Sequence, residues 1–316
     1  TIYDFMGPQV ISHSILPVVV PINGEAMILL TLSEPDSDDE LHLFSDTVLS
    51  ATPIDCTATT SVNYSCIVSA VNTPELMDEG MVLPSNTLSL TAVDQAGNSQ
   101  MTVLDTPLRF DFSAPLITLN LPDGISNSAL GEGESPYVDG MAYFKDGDEL
   151  EVSFSVIEAQ EVSGVEVSVG GVSMSEHSES GGEYVYRSLI SGNPGDDNAA
   201  VIQIEVSDAA GNVAFADTMV YYDFTAPQVQ GGLSKEAYKQ GETVSLVVGV
   251  NEPLLESPLL GALTRVNPDG TTTVVENFWS EPTGSTTSFV YEHEVDEGES
   301  GVYSFSLTVT DRARNQ

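Results

Sequence analysis

The chain repeats one short phrase three times, and this repetition constrains its fold more than any other feature. The phrase reads YDFMGPQV at residues 3–10, FDFSAPLI at 110–117 and YDFTAPQV at 222–229. Self-similarity at a nearly fixed spacing indicates tandem structural units that fold in the same way. The phrase therefore marks the start of three successive repeats.

Two further markers keep the same order within each repeat. Near the start, a glycine and an acidic residue precede an alternating apolar segment that ends in glutamate, as in DGDELEVSFSVIEA at 146–159. Near the end, an alternating segment leads into a turn that reads VDQAGN at 93–98, SDAAGN at 207–212 and TDRARN at 310–315. Apolar residues at every second position predict half-buried β-strands, and the Gly- and Asn-containing turn predicts a hairpin.

Strand-sized segments separated by Gly, Ser, Asn and Asp fill each repeat, and no segment has the sustained apolar spacing of a helix. About seven strands in about 100 residues favour an immunoglobulin-like sandwich. We therefore predict an all-β fold of three tandem immunoglobulin-like β-sandwich domains in a rod-like array. The domains span 1–112, 113–224 with an extra loop or added hairpin at 124–144, and 225–316, whose last strand is missing. We expect the chain to be a piece of a longer array.

Acidic residues outnumber basic ones by 48 to 8, which gives a formal net charge of -40. Nucleic-acid phosphates are bound by clusters of lysine and arginine, so this charge excludes nucleic acid as a partner. The charge also disfavours anionic membranes, and no run of about 18 apolar residues is present for direct membrane insertion. Dense carboxylates favour divalent cations instead, although a solvated acidic surface has the same composition.

The two cysteines, Cys56 and Cys66, lie in the segment IDCTATTSVNYSCIV. The residues between them are rich in Thr, Ser and Asn and separate two apolar runs, which predicts a hairpin with the two sulfurs on its arms. A disulfide between them would indicate an oxidising compartment. Two independently buried thiols are the alternative, because two cysteines alone do not define a pairing.

The segment IEVSDAAGNVAFADTMVYYDFTAP at 204–227 resembles the tandem bacterial immunoglobulin-like repeats of large secreted adhesins and other cell-surface proteins. Those repeats commonly end in a TVTDAAGN-like hairpin, a strand and a DTTAP-like linker. The segment at 90–115 matches this pattern well, and 303–315 matches it in part, with Arg312 and Arg314 in place of small residues. The resemblance implies an extracellular stalk or adhesive array whose partners are neighbouring repeats of a longer chain and a host or surface glycan or protein.

Successive strands of a sandwich run in opposite directions, so the loops after the second, fourth and sixth strands share the end at which the chain enters. That end would collect the linker Asp, the Glu after the second strand, and the Asp and Asn of the hairpin turn. Ca²⁺ takes about 6–8 oxygen ligands, so we predict Ca²⁺ at the domain junctions, where it would stiffen the array. In the alternative interpretation, the Asp and Asn side chains only cap backbone amides. The candidate ligands are Asp4, Glu34, Asp94 and Asn98; Asp111, Glu158, Asp208 and Asn212; and Asp223, Glu252, Asp311 and Asn315.

No catalytic motif is present in the sequence: it lacks a Gly-x-Ser-x-Gly elbow, a His-Glu-x-x-His pair and a phosphate loop. We therefore predict a non-catalytic spacer or stalk segment of a surface adhesin or fibre protein. One alternative is an accessory glycan- or ligand-binding module with Trp279 as an aromatic platform, although a lone tryptophan is more often a core residue. Another is a structural subunit that polymerises by strand donation, which the missing last strand of the third repeat would favour.

Overall fold

A computed structural model describes residues 4–21, 24–37, 40–45, 53–69, 87–158, 161–261, 263–275, 279–280 and 282–316. All regular secondary structure assigned to these residues is β-strand, so the all-β prediction is confirmed for them. These same residues include no helix that is long and apolar enough to cross a membrane.

The chain divides into two compact units. The first comprises Thr1–Thr118, Val156–Glu166 and Ile204–Ala216. The second comprises Leu119–Ser155, Val167–Gln203 and Asp217–Gln316. The domain boundaries after residues 112 and 224 stay predictions from the sequence.

The first repeat forms one seven-stranded sheet in the order β1-β3-β6-β5-β4-β7-β8, and the short strands β2 and β9 pair in parallel beside it. Inward residues from both halves of the large sheet, such as Ile28 and Leu90, belong to one buried core, so the sheet folds over on itself as a sandwich. The strands are β1 (Val10–Leu16), β2 (Val19–Val20), β3 (Glu25–Leu32), β4 (Glu40–Ser45), β5 (Ile54–Ala58), β6 (Asn63–Ser69), β7 (Leu88–Val93), β8 (Ser99–Val103) and β9 (Arg109–Phe110).

Cys56 and Cys66 lie directly opposite each other on the neighbouring strands β5 and β6. Their sulfurs form a disulfide bond. The turn between the strands is closed by hydrogen bonds from Thr59 and Thr60 to the carbonyl of Asn63, so the Thr- and Asn-rich segment forms the predicted hairpin. The structure therefore contains the Cys56–Cys66 disulfide rather than two separate thiols.

The second repeat forms two sheets. One has the order β10-β14-β18-β17, with β11 also paired to β14, and the other has the order β12-β13-β20-β19-β15-β16. Immunoglobulin domains place strands A, B, E and D in one sheet and C, F and G in the other, which is the order found here. The strands are β10 (Leu116–Thr118), β11 (Ile125–Asn127), β12 (Tyr137–Val138), β13 (Met141–Phe144), β14 (Glu149–Ile157), β15 (Val162–Val169), β16 (Val172–Ser173), β17 (Ser175–Ser180), β18 (Glu183–Leu189), β19 (Asn198–Asp208) and β20 (Val213–Tyr222).

The extra stretch at 124–144, predicted as a long loop or an added hairpin, adds strands to both sheets of the second repeat. Strand β11 extends the first sheet, and β12 and β13 form a hairpin in the second sheet. Strand β13 also pairs in parallel with β20, the strand that follows the hairpin turn. The extra residues are therefore part of the sandwich.

The third repeat has a four-stranded sheet, β21-β22-β27-β26, a three-stranded sheet, β25-β24-β28, and a short pair, β23-β29. Trp279 packs edge-to-face against Phe305 beside the buried core, which is the position expected of a lone tryptophan. The strands are β21 (Val229–Leu233), β22 (Thr243–Val250), β23 (Leu259–Leu260), β24 (Leu263–Val266), β25 (Thr272–Val275), β26 (Thr283–Ser285), β27 (Ser288–Glu294), β28 (Val302–Ser304) and β29 (Leu307–Thr308).

Breaking the Cys56–Cys66 bond is expected to destabilise the first repeat. The cysteines are 10 residues apart, and a disulfide that closes a short loop contributes about 2–3 kcal/mol, mainly by restricting the unfolded chain. Thermal unfolding with and without reductant should show one transition move to lower temperature while the others stay in place. The C56A/C66A variant should reproduce the shift and become insensitive to reductant; an unchanged melting profile would contradict this expectation.

Candidate metal centres

Three clusters of carboxylates are the most concentrated chemistry among the described residues. Each cluster joins a linker Asp, the Glu that follows the second long strand of a repeat, and the Asp of the hairpin turn. In each, one carboxylate oxygen per residue lies within 4.8 Å of those of the other two. We call them site 1 (Asp4, Glu34, Asp94), site 2 (Asp111, Glu158, Asp208) and site 3 (Asp223, Glu252, Asp311). The structure thus brings together all nine carboxylates that the sequence proposed.

The hairpin Asp is fixed by its own turn. In site 2, Asp208 Oδ1 accepts hydrogen bonds from the amides of Gly211 at 2.7 Å and Asn212 at 2.9 Å. Its Oδ2 accepts from Asn212 Nδ2 at 2.8 Å. Gly211 has a φ of 95°, a conformation that glycine adopts without steric cost, which explains the glycine of this turn. The capping role expected of Asp in such a turn is therefore real, and it leaves further oxygen lone pairs for a cation.

The hairpin Asn ties the turn to the linker. Asn212 Nδ2 donates to the backbone carbonyls of Asp111 and Ser113, each at 3.1 Å. In site 3, Asn315 Nδ2 donates to the carbonyl of Asp223 at 2.9 Å. These amide groups position the linker Asp beside the hairpin Asp. Metal ligation by Asn212 and Asn315, and by Asn98 in site 1, stays a prediction.

The linker Asp of site 2 is the most deeply buried acid of the three clusters that lacks a complete set of donors. Asp111 is fully buried, and its Oδ1 accepts a hydrogen bond from the amide of Ser113 at 3.0 Å. Its Oδ2 has no hydrogen-bond partner among the residues that the structure describes. A buried charged oxygen without a donor is costly, so this atom is available to a cation.

In site 3, the carboxylates perturb one another. Burial raises the pKa of Asp223 to about 6, and repulsion from Asp311 and Asp197 adds to the rise. Burial also raises the pKa of Glu252 to about 7, with repulsion from Asp223, Asp311 and Asp197 acting in the same direction. Asp223 and Glu252 therefore gain or lose protons near neutral pH, so protons would compete with any cation for these carboxylates.

Asp197 is a fourth acid beside site 3, and the sequence did not reveal it. Its Oδ1 accepts a hydrogen bond from the Phe224 amide at 2.7 Å, and its Oδ2 accepts from Thr225 Oγ1 at 2.7 Å. These bonds hold the two linker residues that directly follow Asp223. Asp197 belongs to the loop before β19 and to none of the recurring markers, so comparison of the repeats could not identify it.

Site 1 has a different electrostatic character. Burial raises the pKa of Glu34, and repulsion from Asp4 and Asp94 adds to the rise. For Asp94, burial would raise the pKa, but hydrogen bonds from Asn98, Ala96 and Gly97 outweigh it, so the pKa is lowered. Asp4 is exposed, and its Oδ1 accepts from the Met6 amide at 3.2 Å. This site is the most open to solvent of the three.

The third hairpin carries two arginines that contact the extra residues of the second repeat. Arg312 pairs with Asp139, and its Nη1 donates to Tyr143 Oη at 3.3 Å. Arg314 donates to the carbonyl of Ser135. We call this set of contacts the arginine brace. It gives both arginines partners at positions where the second hairpin has the small residues Ala209 and Gly211.

The chain matches no protein-family model and no curated protein. Among solved structures it is similar to the I67–I69 I-band fragment of titin, with 10% identity, 96% of this chain and 94% of that chain covered, and a TM-score of 0.46. It is also similar to a structure from a study of host cell surface retention of a 1.5-MDa bacterial ice-binding adhesin (14% identity, 96% and 94% covered, TM-score 0.40). A tetra-tandem repeat from the extending region of a large adhesion protein has 17% identity, 94% and 71% covered, and a TM-score of 0.30.

The raised pKa values of site 3 predict how stability depends on pH when metal is removed. The folded chain keeps protons on Asp223 and Glu252 up to about pH 6 and 7, whereas the unfolded chain loses them near the ordinary values of 3.8 and 4.5. The folded state then binds more protons, so its stability falls as pH rises through this window. Below the unfolded values the penalty is absent, and above the folded values it is complete.

The measurement is thermal unfolding of chelator-treated protein across this pH range. The E252Q variant should show a shallower fall in melting temperature, because it removes one of the titrating groups. The E256Q variant, which changes an exposed acid outside the cluster, controls for the general charge of the chain and should follow the wild type. Parallel curves for E252Q and the wild type would contradict the prediction.

The arginine brace is expected to stabilise the chain without any metal. Replacing Arg312 by Ala removes an ion pair, a hydrogen bond and a contact with the Tyr143 ring, and should cost about 1 kcal/mol. A double-mutant cycle with D139N, measured by denaturant unfolding in chelator, isolates the pair. D139N should have little effect once Arg312 is absent, whereas additive effects would show that the two residues act independently.

Proposed function

We propose that the chain is a non-catalytic extracellular spacer segment in which Ca²⁺ at sites 1, 2 and 3 fixes the joins between consecutive repeats. The observation that carries the proposal is the buried Asp111 Oδ2, which has no hydrogen-bond partner in the described part of the chain; Asp111 forms a cluster with Glu158 and Asp208. Folding places this charged oxygen away from water and beside two further acids. A bound cation would offset both the lost hydration and the repulsion.

The ligand chemistry favours Ca²⁺ over other metals. Each cluster contains carboxylate oxygens, the hard ligands that Ca²⁺ and Mg²⁺ prefer. Oxygens as much as 4.8 Å apart can share one Ca²⁺, whose ligands lie up to about 5 Å apart across the ion. The corresponding limit across Mg²⁺ is about 4 Å, so Mg²⁺ would require a contracted and more regular arrangement.

The placement of the clusters supports a role at the joins. Each takes its first carboxylate from the linker phrase and the other two from the repeat that follows it. The amides of Asn212 and Asn315 already hold the linker carbonyls, so a cation would add charged links where neutral hydrogen bonds exist. The role of a spacer depends on fixed junctions between its repeats more than on a binding cleft. The resemblance to adhesin repeats belongs to the same proposal, which places the segment at a cell surface.

Adding Ca²⁺ to chelator-treated protein should raise its melting temperature. A cation at 100 times its dissociation constant adds about 2.7 kcal/mol to the stability of a folded state that alone binds it. The D111N variant should show two opposite changes: a higher melting temperature without metal, because repulsion in site 2 is relieved, and a calcium affinity lower by about tenfold or more at that site. Calorimetric titration measures the affinity, and thermal unfolding measures both effects.

The matched control is D217N, which changes an exposed acid on β20 of the same repeat. It should leave the calcium affinity and the metal-free stability close to those of the wild type. An equal loss of affinity in D111N and D217N would identify diffuse counterion binding rather than a site. If the wild type does not respond to Ca²⁺, the proposal is wrong.

A further inference from the structure

The linker between the second and third repeats makes contacts with both of them. Its Asp223 forms site 3 with Glu252 and Asp311 of the third repeat. The next residue, Phe224, is 7% exposed and lies against the loop at 190–197, which joins β18 to β19 in the second repeat. Neighbouring side chains of an extended segment point in opposite directions, so two consecutive residues can contact two repeats.

Phe224 packs directly on Gly192 of this loop. A Cβ placed on Gly192 would lie 2.2 Å from Phe224 Cε2, far inside van der Waals contact. The φ of Gly192 is outside the left-handed range, so the phenyl ring and not the backbone conformation requires glycine at this position. The fit between Gly192 and Phe224 therefore depends on the position of the linker.

Asp197, in the same loop, holds the linker by its backbone and by one side chain. Asp197 Oδ1 accepts a hydrogen bond from the Phe224 amide, and its Oδ2 accepts from Thr225 Oγ1, each at 2.7 Å. The Gly195 amide donates in turn to Thr225 Oγ1 at 2.8 Å. Both oxygens of Asp197 therefore contact the linker, and Asp197 is outside the group of three carboxylates whose oxygens lie within 4.8 Å of one another.

The 190–197 loop is ordered by hydrogen bonds of its own. Asp196 Oδ2 accepts from the Asn193 amide at 3.0 Å, and the Asp196 amide donates to the Asn193 carbonyl at 3.0 Å. Asn198 Nδ2 donates to the Asp196 carbonyl at 2.7 Å. The Gly192 amide donates to Asp146 Oδ1 at 3.2 Å, which ties the loop to a neighbouring turn. The loop therefore presents a fixed surface to the linker.

We propose that Asp197 is a positioning residue for site 3, and that Ca²⁺ bound at this site stabilises the 190–197 loop of the second repeat as well as the third repeat. This inference rests on the function proposed above. Because consecutive Cα atoms are about 3.8 Å apart, Asp223 cannot approach or leave a cation without moving Phe224. Contacts that fix Phe224 therefore set the position of Asp223, and by linkage a cation that fixes Asp223 must stabilise those contacts.

A direct electrostatic role for Asp197 predicts a different effect of its conservative variant. Burial is the main cause of the raised pKa of Asp223, and the charges of Asp311 and Asp197 add to the rise. If the charge of Asp197 attracted the cation, removing that charge would lower the calcium affinity. If Asp197 acts by positioning, an asparagine serves as well, because its Oδ1 accepts from the Phe224 amide and its Nδ2 donates to Thr225 Oγ1.

The test is hydrogen exchange of the full chain, followed by mass spectrometry over a range of Ca²⁺ concentrations. In the wild type, we expect Ca²⁺ to slow exchange in the 190–197 loop as well as in the hairpin at 310–315, whose half-protection gives the affinity of site 3. The D197A variant should lower this affinity by about tenfold, the effect of losing a hydrogen bond to a charged group, and abolish the calcium-dependent protection of the loop. D197N should keep an affinity close to that of the wild type.

Gly192 supplies a variant that leaves every carboxylate in place. G192A displaces the Phe224 ring from the loop and should also abolish the calcium-dependent protection of the loop. The matched control is G131A in the same repeat, where a Cβ comes no closer than 3.6 Å to Glu134 and should have no effect. Emission of Trp279, the only tryptophan, verifies that the third repeat is folded in each variant. A G192A variant that keeps the loop protection would overturn the coupling.

The remaining outcomes separate this inference from the proposed function. Equal losses of affinity in D197A and D197N would overturn the positioning role and assign Asp197 a direct electrostatic one. Protection of the hairpins of sites 2 and 3 without protection of the loop would overturn the coupling and leave the proposed function intact. The absence of calcium-dependent protection at every site would reject both.

One measurement tests the positioning role without any metal. In chelator, the Phe224 amide, resolved by NMR, should exchange faster in D197A than in the wild type, because it loses its acceptor. D197N should restore the slow exchange. Equal exchange rates in the wild type and D197A would overturn the positioning role whatever the response to Ca²⁺.

Discussion

The hydrogen bonds between the hairpin Asp and Asn are the interaction on which the candidate sites depend. Asp208 uses both carboxylate oxygens to hold its own turn, and Asn212 holds the Asp side chain and the linker backbone at once. The turn is therefore rigid before any cation arrives. A pre-organised acid costs less to bring into a coordination shell than one on a mobile loop.

Burial of these carboxylates affects both the free-energy cost of the metal-free fold and the attraction to a cation. Removing acids from water and placing them within 4.8 Å of one another disfavours their charged forms, which is visible in the raised pKa values of Asp223 and Glu252. The same removal from water strengthens the attraction to a divalent cation. With the proposed Ca²⁺, a site of this kind would weaken the metal-free fold and strengthen the metal-bound one, so stability would depend on the ion.

The sequence predicted the carboxylates of each site because all nine lie in recurring markers. Strand alternation then required the linker, the end of the second long strand and the hairpin turn to meet at one end of a sandwich. Asp197 and the arginine brace could not be predicted in this way, because each occurs in one repeat alone. The extra residues at 124–144 were predicted as a long loop or an added hairpin, and β12 and β13 form such a hairpin. The pairing of β11 with β14 and of β13 with β20 joins residues far apart in the sequence, which the local pattern could not indicate.

The departures from the repeat pattern are concentrated where the second and third repeats meet in the sequence. Asp197 lies beside the three acids of site 3 and repels two of them. Burial raises the pKa of Asp311, and the charge of Lys145 opposes that rise without cancelling it. The side chain of Lys145 also donates to the carbonyl of Arg314 at 2.8 Å, so the arginine brace and the acidic cluster share one hairpin. Contacts independent of metal therefore lie beside site 3, where repulsion adds to the raised pKa values of Asp223 and Glu252. In physical terms, this hairpin can stay in place without a cation, whereas the hairpin of site 2 relies on Asn212 and its own turn.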